Sequence, residues 1–353
     1  FENNDRPGIM LAGAMRAYAN RWATAVGDRI AIFANNDDAH RTAHDLHRLG
    51  VEIAAVIDSR PEAPTSEHFE VLPASEVVNT HGRLGINSID VKTPQGLRQL
   101  QVNGLGVSGG WNPNIHLTCH QRGRPQWDPV ISAFVPSADL PKSLLVAGAA
   151  NGKMTTAAAM QDAVTMAMKI AKDLGHKPKS LKVPKTSDES VSVTPFWYVT
   201  GTQRGWVDQQ NDVTVKDIKL AHQENFRSVE HLKRYTTLGM ATDQGKTSNV
   251  LGLAIMAQTA GQSIPETGTT IYRPPYSPTA IGVFAGRSRD TDCRPVRKTP
   301  SHKWAAEQGA VFVEVGMWYR AQWFPEPGET HWRQSVDREV KTTRESVGIC
   351  DVT

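Results

Sequence analysis

Cysteine is scarce in this chain of 353 residues: Cys119, Cys293 and Cys350 are odd in number and far apart. That excludes a disulfide framework, leaves no cysteine-based metal spacing, and suits a reducing cytoplasm. Long apolar runs are missing too; none approaches the roughly 20 residues of a transmembrane helix. Nor is charge of one sign in excess. A formal net charge of +3, with acids and bases mixed along the chain, gives no reason to expect nucleic acid or a membrane surface as a partner. The length exceeds one ordinary domain of roughly 100–200 residues, so two or more are expected. The chain opens Phe1-Glu-Asn-Asn without a methionine and ends Asp351-Val-Thr, which leads us to expect an internal piece of a longer polypeptide.

What is present centres on Leu144–Gly175, LLVAGAANGKMTTAAAMQDAVTMAMKIAKDLG. Leu144 to Ala147 reads as a short buried strand, Gly148-Ala-Ala-Asn-Gly152 as a turn, and the rest as a long helix stopped by Gly175. Ala159, Ala163, Ala167 and Ala171 recur every fourth residue and predict a narrow face lying close against a sheet. Such an elbow aims free N–H groups and a positive dipole end at one point, where a pyrophosphate is well placed. The other reading is a small-residue turn chosen for tight packing alone.

Ahead of it, Ile9–Trp22 reads as a helix with no strand before it. A βαβ pattern follows: RIAIFA (29–34), a helix over Ala39–Leu49, and VEIAAVI (51–57) ending at Asp58. This is a dinucleotide-domain layout, acid included. Its turn, Ala34-Asn-Asn-Asp-Asp-Ala39, has no glycine, and two aspartates stand where a pyrophosphate would sit. We therefore read it as the fold without its ligand. Residues 60–82 read as connection, Gly85–Lys92 and Leu97–Val102 as a meander, and Leu105–Asn114 as a strand running into a Gly-Gly turn. Past Gly205 three helices start at Thr214, Ser228 and Ser248-Asn249, the last stopped by Gly261. An amphipathic helix is expected over Trp332–Ser346.

VSGGWNPN (107–114), AGAANG (147–152) and above all FRSVEHLKRYTTLGMATDQGKTSN (226–249) carry a resemblance to the alpha subunit of heterotetrameric sarcosine oxidase. The resemblance covers nearly the whole chain. GAVFVEVGMWYR to RESVGICDVT resembles the opening of an aminomethyltransferase-type folate-binding domain. The implied fold is α/β, a two-dinucleotide-binding-domain architecture with a small helical module and the start of that folate domain. The implied boundaries are 1–26, end of the first dinucleotide-binding domain; 27–104, an inserted second one; and 105–177, return to the first. A linker (178–204), the helical module (205–262), an extended linker (263–300) and the folate-type domain (301–353) complete it.

The resemblance implies a cytoplasmic flavoenzyme complex of alpha, beta, gamma and delta subunits that oxidises the N-methyl group of sarcosine. It implies NAD in this subunit, FMN at the interface with beta, and tetrahydrofolate in the C-terminal part. Carried over by position, Gly148, Ala149, Asn151, Gly152, Met154 and Thr156 would line the NAD. The helical module resembles a 2Fe-2S domain with C-x-C and C-x4-C ligand pairs. Here those positions are Asp208 and Gln210, and Asp243 and Ser248, so no cluster is expected. Lys246, Thr247 and Ser248 before a helix face either an anion such as the FMN phosphate or only solvent.

Two other readings stand beside this one: an alpha-like subunit of a related amine or opine dehydrogenase such as N-methylglutamate dehydrogenase, or a scaffold with a vestigial nucleotide site. Within IHLTCH, His116, Cys119 and His120 match no metal spacing and read as a polar strand end. Arg234 and Lys246 read as helix-face charges, and Met154, Met160 and Met168 as core filling. Trp304, Trp318, Trp323 and Trp332 read as core and interface of the last domain. No residue is assigned direct chemistry.

Overall fold

The computed structural model describes every residue except Gln121, Lys142, Ser180, Asp188, Glu189, Thr202, Gln203, Arg287, Thr291, Cys293 and 351–353. The chain divides into two compact units, Phe1–Pro278 and Thr279–Thr353.

In the first unit β1 (Ile9–Leu11) runs straight into α1 (Ala12–Trp22). Then come β2 (Arg29–Ala34), α2 (Asp37–Arg48), β3 (Glu52–Asp58) and β4 (Val71–Leu72). A meander of β5 (Glu76–His81), β6 (Ser88–Thr93) and β7 (Gly96–Gln101) leads to β8 (Gly104–Ser108). Among the described residues the main sheet has the order β1-β8-β2-β3-β4, every pair parallel. The meander is a separate antiparallel sheet.

Five of the six residues of β2 are buried, as a central parallel strand covered on both faces requires. Its side chains alternate between two cores. Ala31 and Phe33 face the meander's Val77, Ile89 and Val91, whereas Ile30, Ile32 and Ala34 face Ala12 and Met15 of α1 and Ala39, Ala43 and Leu46 of α2. Asn36 caps α2 by accepting from the Ala39 N–H; Asp37 and Asp38 in the first turn and Arg48 in the last suit the helix dipole.

Three expectations differ here. Ile9–Leu11 is a strand, because its backbone finds β8 as a parallel partner. Residues 1–26 are thereby hydrogen-bonded into the same sheet as 27–104. Residues 60–82, expected to be connection, hold β4 and β5.

Past β8 come α3 (His116–His120), the hairpin β9 (Gln126–Asp128) and β10 (Ala133–Val135), a 3-10 turn at Gly148–Asn151, and α4 (Thr156–Asp173). Leu144–Ala147 joins no sheet among the described residues, so it is not a strand. Among the described residues no sheet covers the alanine face: Ala163 and Ala167 are exposed, and α4 has no buried residue. Periodicity defined a face without specifying what would cover it.

β11 (Trp206–Asp208), β12 (Val213–Thr214), α5 (Val215–Gln223), α6 (Val229–Thr236), α7 (Asn249–Ala260) and α8 (Ile264–Thr267) complete the unit. The helices pack around Ile218, Leu232, Leu238, Ile255 and Met256. Thr214 forms a capping box with Asp217, Ser228 accepts from the His231 N–H, and Gly261 ends α7 in the left-handed conformation.

The second unit contains α9 (Ile281–Ala285), β13 (Arg297–Lys298), α10 (His302–Glu307), β14 (Val311–Val315), β15 (Trp318–Trp323) and α11 (Trp332–Glu345), with sheet order β13-β15-β14. Trp304, Trp318 and Trp332 are exposed in it, which departs from the expected core role. Among the described residues no helix is long and apolar enough to cross a membrane.

Candidate functional site

The chain leaves β2 for β3 on one side, while β8 lies on the other, so the strand order reverses between β2 and β8. Open α/β sheets bind ligands in the crevice beyond the carboxyl ends of the strands at such a point. A cavity of ≈ 390 Å³ lies there. Asn36, Asp37, Asp38 and Arg41, which follow β2, form one wall. Trp111 to Asn114, which follow β8, form another, and Ala149, Ala150 and Met154 a third. The volume falls within the ~300–1,000 Å³ usual for small-ligand sites.

Of the residues carried over to NAD, Ala149 and Met154 line this cavity. Gly148, Asn151 and Gly152 build the turn behind them. Gly152, at φ +74°, passes so close to β10 that a Cβ would lie 2.9 Å from Val135. Thr156 is exposed at the start of α4. Three of the elbow's backbone N–H groups are already engaged, however. The Gly148 N–H donates to Asp162 Oδ2 at 2.9 Å, and Asn151 Nδ2 donates to the same oxygen at 3.1 Å. Gly152 and Lys153 donate to the carbonyls of Ala149 and Gly148. Thr155 caps α4 by accepting from the Ala158 N–H. The anion at this elbow is the chain's own Asp162, which takes the Gly148 amide that a pyrophosphate would use, while Ala149 and Met154 give the cavity an apolar wall.

The glycine-free turn after β2 is closed differently. Asp58, where a ribose-binding acid is expected, is fully buried. His40 Nε2 lies 2.8 Å from its Oδ2, and Arg60 donates to both of its oxygens. Arg60 also donates to Asp37 at 2.7 Å. Burial pushes the Asp58 carboxyl up, but the bonds from His40 and Arg60 outweigh it and hold the pKa below the usual range. Asp37 behaves likewise through Ser190 and Arg60. Sequence reasoning missed Arg60, whose only signal was a cation two residues past the strand-end acid.

In the helical module Asp208 is buried and saturated. Its Oδ2 accepts from the Gly239 N–H at 2.7 Å, Asn211 Nδ2 at 3.0 Å and Ser248 Oγ at 3.3 Å. Its Oδ1 accepts from the Gln210 and Asn211 N–H groups. Gln210 Nε2 donates to Thr242 at 3.3 Å. With a carboxylate and its donors in that space, these residues do not fit a 2Fe-2S cluster. Ser248 spends its hydroxyl on Asp208 and not on capping α7 or facing a ligand. Lys246 donates to the Tyr276 carbonyl at 2.8 Å and lies 4.2 Å from that ring's centroid, so it is not a helix-face charge. Thr247 is exposed.

His116, Cys119 and His120 sit on α3, not at a strand end. His116 stacks on Tyr276 with ring centroids 4.1 Å apart, and burial pushes the Cys119 thiol up, away from nucleophilic use. Arg234 pairs with Glu230 along α6 at 3.1 Å, as a helix-face charge does.

Sheet, switch-point cavity and helical module together define an α/β protein built on an open parallel sheet. In fold the chain is similar to L-proline dehydrogenase from P.horikoshii, with a TM-score of 0.58 and 19% identity over 81% of this chain and 55% of that one. A family model described as Sarcosine oxidase A3 domain matches residues 202–287, and one described as GCVT N-terminal domain matches residues 301–353. The chain is similar to Sarcosine oxidase subunit alpha of Rhizobium meliloti (strain 1021), 43% identical over 100% of this chain and 36% of that protein. It is also similar to the subunit of the same name from Corynebacterium sp. (strain P-1), 38% identical over 100% of this chain and 39% of that one. The chain is thus a relative of the sarcosine oxidase alpha subunits from end to end, and spans little more than a third of their length.

Proposed function

We propose that this chain works as part of an alpha-type subunit in a cytoplasmic flavoenzyme complex with beta, gamma and delta partners. The complex oxidises the N-methyl group of sarcosine, giving glycine, peroxide and either formaldehyde or methylene-tetrahydrofolate. This chain's share is to hold NAD and to help seat FMN near Lys246 and Thr247, with folate bound by the domain that opens at residue 301. The similarity to the named subunits along the whole chain supports the complex.

One observation carries the nucleotide assignment: Ala149 and Met154 line the same cavity as the segments following β2 and β8. A dinucleotide places a ring against this apolar wall and keeps its phosphates off the occupied elbow. A second reading, a scaffold with a vestigial site, is favoured by Asp162 on the Gly148 amide. Calorimetric titration of the full-length subunit with NAD separates the two. Binding that is lost in Ala149→Trp, which fills the cavity, supports the first. No heat, with no nucleotide in the purified protein, overturns it.

A further inference from the structure

The turn Asn35-Asn36 after β2 is bonded to the chain's own residues 190–194, about 150 positions later in the sequence. The Thr194 N–H donates to the Asn35 carbonyl at 3.0 Å, Asn35 Nδ2 donates back to the Thr194 carbonyl at 2.9 Å, and Asn36 bridges Val193 in antiparallel fashion. Gly110, at φ +107°, lets Val193 come close: a Cβ there would lie 3.3 Å from its side chain. Val191, Ser192 and Val193 line the switch-point cavity, and Val191 and Ser192 are exposed. These residues form one wall of the cavity, at the surface of the molecule.

The two ends of the segment are held unequally. Beyond Thr194 the chain is firm: Phe196 packs edge-on against Phe33 with centroids 5.9 Å apart, and Val199 is 1% exposed in the main core. At the other end Ser190 is exposed and fixed by polar contacts. Its hydroxyl donates to the Asp37 carboxylate, and Arg41 Nη1 donates to its carbonyl at 3.0 Å. Exposed polar contacts open at far lower cost than a packed apolar anchor.

We propose that residues 190–194 are a strap occupying the vacated phosphate seat and closing the ligand cavity, hinged beyond Thr194 and latched at Ser190 by Asp37 and Arg41. The proposal rests on the nucleotide reading above and adds how the nucleotide is kept. Loading and release then require the latch to open, and the latch sets the dwell time more than the affinity.

The test is NAD exchange by rapid mixing on the full-length subunit carrying Asp37→Cys and Ser190→Cys. Oxidation to the cross-link slows loading and release by about tenfold or more, and reductant restores both. The single variant Ser190→Ala, which needs no cross-link, exchanges faster than wild type at an unchanged melting temperature. Wild-type rates in both the cross-linked protein and Ser190→Ala overturn the strap while leaving the nucleotide site standing. A wild-type subunit that takes up no NAD overturns the nucleotide reading and the gate together.

Discussion

Asp208→Ala is the sharpest probe of the helical module. The carboxylate is 2% exposed and gathers donors from three separate segments: Gln210 and Asn211, Gly239, and Ser248. Gln210 is exposed and Asn211 half-buried, so their N–H groups find water when the carboxylate goes. The Gly239 N–H and the Ser248 hydroxyl are buried and do not. Two stranded donors cost about 1–3 kcal/mol each, so the variant loses about 2–6 kcal/mol of stability at neutral pH. Denaturant midpoints of the full-length subunit measure it.

The pH dependence gives a second, signed check. Burial raises the Asp208 pKa, but the bonds from Gly239, Asn211 and Gln210 outweigh it and hold it below the usual range. An unfolded aspartate titrates near about 3.9, so the folded protein is the weaker proton acceptor. The carboxylate's contribution is complete above that pH and is lost as pH falls through the folded value. The gap between wild type and Asp208→Ala therefore narrows below about pH 4. A gap under about 1 kcal/mol at pH 7, or one that widens in acid, would refute the hub role.

Three further outcomes are expected. Arg60→Ala leaves Asp58 buried without its guanidinium partner and destabilises the first unit by about 3–5 kcal/mol, read from the denaturant midpoint. Arg338→Met raises the Glu329 pKa from about 2 toward the ordinary carboxylate range, because the guanidinium that donates to both its oxygens is gone; carboxyl chemical shifts followed against pH report it. Burial, then the neighbouring His68, His40 and His47, lower the His44 pKa in the fold. Unfolded histidine accepts its proton first, so this contribution to stability is present above about pH 6.5 and lost below it. His44→Gln flattens that part of the stability profile, and an unchanged slope counts against the repulsion.

The βαβ unit was readable because local signals agreed: RIAIFA is β2 at its expected bounds, and α2 and β3 begin or end within two residues of theirs. The caps at Thr214 and Ser228 and the stop at Gly261 were equally local. What failed depended on partners. Four apolar residues at 144–147 could not reveal that no strand lies alongside, nor could Ile9–Leu11 show that β8 does. Ala149 and Met154 do line the cavity, but Asp162, nearly two turns into α4, has claimed the Gly148 amide. A lone aspartate inside a helix gives no notice of which backbone group it will meet.

The place of β8 in the main sheet bears on how the protein is made. Its five residues, 104–108, lie between β1 and β2, whose paired residues come off the ribosome 96 and 74 positions earlier (Ile9 with Leu105, Ile30 with Gly104) and which are not neighbours in the sheet. Until the late strand arrives, the edge of β2 that it will pair with stays open. The nascent chain carries that open edge through the whole meander, an interval in which an unpaired strand invites association with other chains.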